Sequence, residues 1–371
     1  MRAIARQFHV SYSTVWFWVE RACGKRLDRV PFANRKPGRA WNRTAAELEN
    51  HILEVRRELR ESSVLGEYGA RAIEAELQAQ ASAVPSLATI NRVLARHGAQ
   101  DRARRLRRSA PPRGWYLPQV ATAQAELDSF DWIEDLKIAG GPLVQMLMGT
   151  ALCGGQVDAW PELKIATEAV LCRLSGRWEQ LGLPDYAQFD NEAVFQGAHQ
   201  FPDTVGRVSR LCLALGVIPV FAPPREPGFQ NAIEGFNGLW QAKVWQRHRF
   251  EDFAQLLAIS ARYIAAHRAR SATRREQVPS RRPFPSAFRF DPHAPLRGTI
   301  IFLRRTDDAG RAHLLGSRFD VTPQWPHRLV RCEVDLTAHQ IRFYALRRRA
   351  PAEQPLLNEV PYHRQHKPFR G

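Results

Sequence analysis

The sequence predicts a multidomain α+β protein, with all-α N-terminal segments, a central α/β domain whose mixed sheet is covered by helices, and a small C-terminal β-barrel. Its length of 371 residues is typical of two to four domains. Apolar residues recur at helical spacing through the first hundred residues, and strand and helix patterns alternate from about residue 121. Short segments of alternating polarity, separated by turn residues, fill the C-terminal part.

The formal net charge of +17 is concentrated at the two ends of the chain. Residues 1–118 carry 22 Lys and Arg against 11 Asp and Glu, residues 119–290 carry 18 against 18, and residues 291–371 carry 14 against 8. A neutral central domain between two cationic segments is typical of a protein whose terminal segments bind it to a polyanion. The distribution therefore favours nucleic acid as the partner.

Residues 1–27 have the pattern of a partial helix-turn-helix. A short apolar helix and a turn precede Ser11, which stands at the N-cap of a second helix. Ser13 and Thr14 then begin a recognition helix, the end that meets base edges, and we predict that they contact DNA. A plain amphipathic helical pair fits the same residues. The usual first helix is missing, so we expect that translation starts upstream or that this copy is truncated.

Residues 44–100 predict a second helix-turn-helix-like unit of three helices, after a Pro-, Gly- and Arg-rich linker at 28–43. A plain three-helix bundle fits this pattern too. The linker at 101–120 is dense in arginine, which favours phosphate contact beside a DNA-binding module. The predicted DNA contacts of these two segments are Ser86, Thr89, Asn91, Arg92, Arg104, Arg105, Arg107 and Arg108.

Residues 121–270 predict a mixed sheet covered by helices, because strand and helix patterns interleave. A Pro- and Arg-rich linker follows at 271–296. Residues 297–350 carry five short strand segments between turns, and this spacing predicts the small β-barrel. Residues 351–371 predict a loose tail.

The five cysteines are scattered and form no C-x-x-C pair, which argues against a zinc site or a disulfide framework. The sequence has no run of about 18 apolar residues, and its N-terminus lacks the apolar stretch of a signal peptide. We therefore expect a cytoplasmic protein with reduced thiols and no membrane contact.

Three carboxylates of the neutral centre can converge at one edge of the predicted sheet. Asp131 lies at the first strand, Asp190 ends a later short strand, and Glu234 enters the next helix. Such oxygen donors suit Mg²⁺ or Mn²⁺, hard ions that also bind phosphate oxygens. Two ions about 3.5–4 Å apart can clamp an in-line phosphoryl displacement. Taken singly, each carboxylate fits a solvated surface charge equally well.

The surroundings of two of these acids resemble the DDE transposases of bacterial insertion sequences and the retroviral integrase core. Residues 182–195, GLPDYAQFDNEAVF, are similar to the family segment G-x-P … D-N-G … F. Residues 223–237, PPREPGFQNAIEGFN, are similar to its segment P … G … E-x-x-N. The resemblance covers roughly residues 1–350. It implies an RNase H-like integrase core at 121–270, helix-turn-helix segments before it and an SH3-like barrel after it.

Two features depart from the family pattern in this second half of the site. Glu192 replaces the usual Gly after Asp-Asn, and the 44 residues from Asp190 to Glu234 exceed the common family spacing. Glu226 is the alternative at the shorter spacing of 36 residues. We prefer Glu234, because Glu226 sits in a Pro-flanked loop, which holds a metal ligand poorly.

The first acid is ambiguous, because Asp128, Asp131 and Asp135 lie close together in the sequence. Asp131 lies about ten residues before the Gly140-Gly141 turn, as the family's first Asp does. We therefore place Asp131 first and Asp128 second.

The resemblance implies a DNA transposase/integrase that performs metal-dependent strand cleavage and strand transfer, in which a 3′-OH attacks a phosphodiester. It implies two Mg²⁺ (or Mn²⁺) ions, terminal inverted repeats and target DNA as partners, self-association on DNA, and a bacterial, nucleoid-associated location. We also predict that Lys243 contacts DNA phosphate.

Two other functions fit the same sequence. One is a helix-turn-helix DNA-binding protein whose integrase-like domain is inactive, which agrees with the short N-terminus and with Glu192. The other is a simple RNase H-type nuclease, which needs no recognition of specific DNA ends.

Overall fold

The computed structural model of the protein describes residues 1–22, 24, 44–80, 84–100, 113–164, 166–197, 202–226, 228–272 and 278–364. These residues belong to two compact units. The first unit consists of Met1–Arg56 and Ala70–Gln100, and the second of Arg57–Gly69 and Asp101–Gly371. The predicted linker at 28–43 lies outside the described residues.

The first unit is helical, as its apolar periodicity predicts. Two short helices, joined by a turn in which His9 has a positive φ of 51°, come first. Three further helices follow, the first of which ends in the second unit. The helices are α1 (Arg2–Gln7), α2 (Tyr12–Ala22), α3 (Ala46–Ser62), α4 (Ala70–Ala79) and α5 (Leu87–Arg96).

Helices α3, α4 and α5 each bury one apolar stripe. Ile52 on α3, Ile73 on α4 and Ile90 on α5 are all fully buried. Glu49 of α3 is buried as well, and its carboxylate pairs with Arg96 and accepts a hydrogen bond from His97 at 2.8 Å. This ion pair provides the partner that a buried carboxylate requires.

The second unit contains a mixed sheet in which nine strands of the described residues lie in the order β11-β10-β9-β6-β5-β4-β1-β2-β3. Strands β1, β4, β5 and β6 are mutually parallel, and the strands outside them on both sides pair antiparallel. Strands β7 and β8 form a separate hairpin. The strands are β1 (Leu127–Lys137), β2 (Leu143–Ala151), β3 (Val157–Glu162), β4 (Tyr186–Phe189), β5 (Ile218–Phe221), β6 (Thr299–Arg305), β7 (Arg311–Leu314), β8 (Ser317–Asp320), β9 (Leu329–Asp335), β10 (Gln340–Ala345) and β11 (Leu356–Pro361).

Helices cover both faces of this sheet. Residues of α7 and α9 belong to one core, and residues of α10 and α11 pack with β2 and β3 in another. None of the described helices is long and apolar enough to cross a membrane. The helices are α6 (Pro118–Ala121), α7 (Thr167–Leu181), α8 (Ala193–Gln196), α9 (Arg207–Ala214), α10 (Asn231–Trp240), continued by a π-helical turn (Gln241–Trp245), and α11 (Phe253–Arg270).

A row of four phenylalanines crosses the four parallel strands on the α7 side. Phe130 of β1 stacks on Phe189 of β4 with ring centroids 5.5 Å apart. Phe189 contacts Phe221 of β5 at 6.1 Å, and Phe221 stacks on Phe302 of β6 at 5.2 Å. All four side chains are buried. Cross-strand aromatic contacts of this kind fix the register of neighbouring strands.

The predicted small β-barrel at 297–350 differs from the observed structure. Strand β6 pairs with β5 through Val220–Ile301 and Phe221–Phe302, so the C-terminal strands extend the central sheet. The physical reason lies in the sequence of β6, in which Ile300–Leu303 is a continuous apolar run. Such a run fits a strand that is buried on both faces, whereas a barrel strand alternates.

Two predicted irregular segments also contain ordered, buried structure. In the linker predicted at 101–120, Trp115 and Tyr116 are buried in the core, where both rings contact Phe229. In the tail predicted at 351–371, β11 pairs with β10 at the edge of the sheet. Burial of Trp115 and Tyr116 outweighs the Arg-rich context that suggested a loop, whereas β11 is exposed or half-buried and is held by backbone pairing with β10.

We expect Phe302→Ala to destabilise the second unit by about 3–5 kcal/mol, because it removes a buried ring from the aromatic row. Chemical denaturation should show the core and the C-terminal strands unfolding in one transition. Leu356→Ala, at a side chain that is 52% exposed, is the control and should cost less than about 0.5 kcal/mol. A separate transition for the C-terminal strands would contradict the continuous sheet.

Candidate active site

Asp131 and Asp190 lie beside each other because each follows a phenylalanine of the aromatic row. The parallel register pairs Asp128 with Ala187 and Ser129 with Gln188, and its continuation brings Asp131 next to Asp190. Side chains alternate between the faces of a strand, so both carboxylates lie on the face opposite the phenylalanine rings. That is the face on which α10 packs.

The carboxylate of Asp131 is half-buried and is oriented by α10. Asn237 donates a hydrogen bond from Nδ2 to Oδ2 of Asp131 at 2.8 Å. The pKa of Asp131 is raised to about 6, mainly by burial and to a smaller extent by the negative charge of Glu234, against hydrogen bonds from Trp132 and Asn237. The Oδ1 atom of Asn237 is buried and has no hydrogen-bond partner in the described residues.

The carboxylate of Asp190 stands at the C-terminal end of β4 and accepts a hydrogen bond from the backbone N–H of Glu192 at 3.0 Å. Burial raises the pKa of Asp190 to about 7, and the charges of Asp131, Glu192 and Glu134 add to this effect. Glu192 has φ −61°, which any residue adopts, so its replacement of the family's Gly does not strain this turn.

Glu234 lies in the first turn of α10 with an exposed side chain. It lines an open cleft of about 520 Å³ together with Asp190 and Glu226. Gly228 in the preceding loop has a φ of 91°, a conformation that favours glycine. Glu226 is engaged elsewhere, because its carboxylate pairs with Arg305 and lies 3.7 Å from Arg348.

Asp128 lies on the opposite face of β1 from Asp131 and is completely buried. It accepts hydrogen bonds from Arg177 at 3.0 and 3.1 Å, from Trp178 at 3.1 Å and from Arg281 at 2.6 Å. Burial opposes its ionisation, but the two guanidinium groups outweigh this and hold the pKa of Asp128 well below its usual range. Asp135 is exposed at an irregularity of β1, with a φ of 59°. The structure therefore brings neither residue to Asp190.

The donor chemistry of Asp131, Asp190 and Glu234 fits a hard divalent cation, because all three offer carboxylate oxygens. Burial is the main cause of the raised pKa values of the two aspartates, and hydrogen bonds from amide and backbone groups offset it only in part. Across the residues that the structure describes, however, no group of three or more His, Cys, Asp or Glu side chains is close enough to hold a metal ion. The two aspartates are thus the assembled part of the site.

A buried polar network beneath the site was not predicted from the sequence. The hydroxyl of Tyr116 donates to Oε1 of Gln188 at 2.9 Å and lies 2.8 Å from the carbonyl of Phe229. Gln188 donates from Nε2 to the same carbonyl at 3.2 Å. The network anchors the loop that leads into α10. The Trp-Tyr-Leu run at 115–117 was the only sequence signal for it.

The predicted DNA contacts of the first unit lie at exposed helix starts. The hydroxyl of Ser11 caps α2, with Ser13 and Thr14 exposed next to it. Ser86 caps α5 in the same way. On α5, Thr89 is half-buried, whereas Asn91 and Arg92 are exposed and donate to backbone carbonyls of the preceding turn. Arg104, Arg105, Arg107 and Arg108 lie outside the described residues.

Lys243 is half-buried in the second unit and makes two contacts there, and its contact with DNA phosphate stays a prediction. Its ammonium group donates to the carbonyl of Gly66 at 2.9 Å and lies 5.8 Å from the ring centre of Tyr68. These contacts hold the turn that follows α3 against the π-helical turn. They join residues about 177 positions apart, so local sequence patterns do not predict them.

No protein-family model matches the chain. Among solved structures, the chain is similar to one chain of a simian T-cell lymphotropic virus intasome in complex with PP2A regulatory subunit B56 gamma. The sequence identity is 13%, and the TM-score is 0.35. The match covers 72% of this chain and 87% of that chain. It is similar to the catalytic core domain of BIV integrase (15% identity, 38% and 81% covered, TM-score 0.28). It is also similar to the HTLV-2 integrase catalytic core domain in complex with magnesium (12% identity, 37% and 73% covered, TM-score 0.26). Likenesses this weak do not assign a function.

We expect Asp190→Asn to stabilise the protein increasingly as the pH rises from about 4 to about 7, by about 1–3 kcal/mol at the plateau. The pKa of Asp190 is about 7 in the folded state, against 3.8 for an ordinary aspartate. The protonated form therefore favours folding. The native protein keeps this stabilisation below about pH 4 and loses it as the pH rises to the folded-state pKa of about 7. Urea denaturation at a series of pH values measures the difference between the variant and the native protein.

The matched control is Asp135→Asn, an exposed aspartate of the same strand whose positive φ asparagine tolerates. Its effect should stay within about 0.5 kcal/mol at every pH. An Asp190→Asn variant whose stability relative to the native protein does not change with pH would refute the assignment of an uncompensated charge.

Proposed function

We propose that this protein is a metal-dependent polynucleotidyl transferase of the DNA transposase/integrase kind. The observation that carries the proposal is the side-by-side placement of Asp131 and Asp190, two half-buried carboxylates with raised pKa values. Asp128, only three residues away, has its charge neutralised by Arg177 and Arg281. Asp190 lines an open cleft, and acids whose charge no arginine neutralises are typical of functional sites rather than of structural ion pairs.

Asp131, Asp190 and Glu234 are the proposed ligands of Mg²⁺ or Mn²⁺, with two ions as the expected number. When bound, such ions activate an attacking oxygen and stabilise the leaving oxygen of a phosphodiester. In this chain, Asn237 orients the carboxylate of Asp131, and the backbone N–H of Glu192 orients that of Asp190. Glu234 contributes from the first turn of α10 and lines the same cleft as Asp190.

The substrate of the proposed reaction is DNA, first cleaved to give a 3′-OH that then attacks a second phosphodiester. The +17 charge and its concentration at the two ends of the chain support a nucleic-acid substrate. The exposed starts of α2 and α5 are the proposed contacts to the terminal repeats. Self-association on DNA is part of the proposal, because strand transfer must bring two ends together.

We expect Mg²⁺ to raise the Tm of the native protein at about pH 8, where both aspartates are ionised. A ligand at about 100 times its Kd stabilises by about 2.7 kcal/mol, which a thermal scan resolves easily. Excess EDTA should reverse the shift. Asp131→Asn and Asp190→Asn should each abolish it, while Asp135→Asn should keep it. If Mg²⁺ raised the Tm of the native protein and of all three variants equally, the ion would bind at a site other than these two aspartates.

We expect Asp131→Asn and Asp190→Asn to lower the rate of strand cleavage and strand transfer by about a thousandfold, because metal stabilisation of the transition state is worth several kcal/mol. The assay uses labelled DNA that carries the inverted repeats flanking the coding region, with Mg²⁺ or Mn²⁺. Glu234→Gln should match the two aspartate variants, and Glu226→Gln should retain most of the activity.

The outcomes of this assay separate the rival functions. Specific binding of the repeats without cleavage, in either metal ion, would indicate a DNA-binding protein with an inactive domain. Cleavage of RNA–DNA hybrids with no preference for the repeats would indicate an RNase H-type nuclease. Loss of activity in Glu226→Gln with full activity in Glu234→Gln would exchange the roles of the two glutamates.

A further inference from the structure

A second cavity, of about 360 Å³, lies at the carboxyl ends of β4, β5 and β6, between α8 and the β7–β8 hairpin. It shares Asn191 and Pro224 with the candidate active-site cleft, so the two spaces adjoin. Its volume falls in the range of small-molecule sites, roughly 300–1,000 Å³. The carboxyl ends of parallel strands are also where α/β sheets commonly bind ligands.

The cavity is lined by Arg304, whose charge no described carboxylate neutralises. This side chain is 7% exposed, and none of the described Asp or Glu oxygens lies within 4 Å of it. Burial lowers the pKa of Arg304 to about 10, so the group stays cationic at neutral pH. A buried cation without a counter-ion is costly, and an anion that enters the cavity removes that cost.

The hydrogen bonds of Arg304 leave one donor free for such an anion. Its guanidinium donates to the carbonyls of His313, Ala222 and Leu303 and to Oδ1 of Asn191. A guanidinium carries five N–H groups, so one Nη2 hydrogen has no acceptor in the described part of the chain. The exposed imidazole of His313 also lines the cavity and offers a further donor.

An independent observation is an unsatisfied acceptor in the same cavity. The Oε1 atom of Gln196 is buried and has no hydrogen-bond partner among the described residues. An oxyanion does not donate a hydrogen bond, so it cannot satisfy Oε1 of Gln196. That acceptor needs an N–H or O–H donor from another part of the ligand. A ligand that joins an oxyanion to an N–H donor satisfies both sides of the cavity.

We infer that this cavity binds one nucleotide unit, with its phosphate near Arg304 and His313 and an N–H of its base near Gln196. The cavity adjoins the candidate active site, and we therefore assign the unit to an unstacked nucleotide of the DNA strand beside the cleaved bond. This assignment rests on the proposed function, whereas nucleotide binding itself does not. Enzymes that do chemistry on a base hold that base, extruded from the duplex, in a pocket lined by hydrogen-bonding groups.

Isothermal titration of the full chain in EDTA tests the site without metal ions, with the four deoxynucleoside monophosphates as probes. We expect at least one to bind about tenfold more tightly than inorganic phosphate or its own nucleoside, because both halves of the ligand are recognised. His313→Ala and Gln196→Met should each weaken binding severalfold. Arg289→Gln, at an exposed arginine outside the cavity, is the control and should leave affinity unchanged.

Absence of binding at millimolar concentration, or equal affinity in the native protein and both cavity variants, overturns the inference. Asp190→Asn should bind nucleotide normally, so failure of cleavage and failure of this site are distinguishable. A labelled mononucleotide bound in the cavity should be displaced by a duplex with an unpaired terminal nucleotide and much less by a blunt duplex. If neither duplex displaces it, the site takes free nucleotides and the assignment to DNA is wrong.

Discussion

The stacking of four phenylalanines across β1, β4, β5 and β6 is the constraint on which the rest of the second unit depends. The rings set the stagger of the parallel strands, and a slip by one residue would exchange the two faces of the sheet. The residue after each ring then lies on the opposite face. Two of these residues are Asp131 and Asp190, so the packing of an apolar core places two charges side by side.

Charge compensation separates the buried and half-buried acids of the two units into two classes. Asp128 and Glu49 are buried, and arginines neutralise both of them. Asp131 and Asp190 are held by amide and backbone donors, which orient a carboxylate without cancelling its charge. The first arrangement pairs each buried charge with an opposite one, whereas the second leaves the negative charge unneutralised, which is typical of functional sites rather than of structural ion pairs.

The sequence predicted the central helices and strands well, because their periodicities are long and regular. The preference for Asp131 over Asp128 came only from a resemblance to a family. The structure gives a physical reason, which is that Asp128 is paired with Arg281, a residue 153 positions away in the sequence. Arg281 lay in a predicted linker, as did Trp115 and Tyr116 before the core. Local composition identifies a loop-like segment but does not reveal which of its side chains are buried by distant elements.

The insertion of β6 beside β5 has a consequence for how the chain is made. Parallel neighbours so distant along the chain pair late, after a long loop has closed. Until Thr299–Arg305 has left the ribosome, β5 presents an unpaired apolar edge to the cell. Synthesis that stops in the preceding segment therefore yields a polypeptide that is prone to aggregate rather than a smaller folded protein.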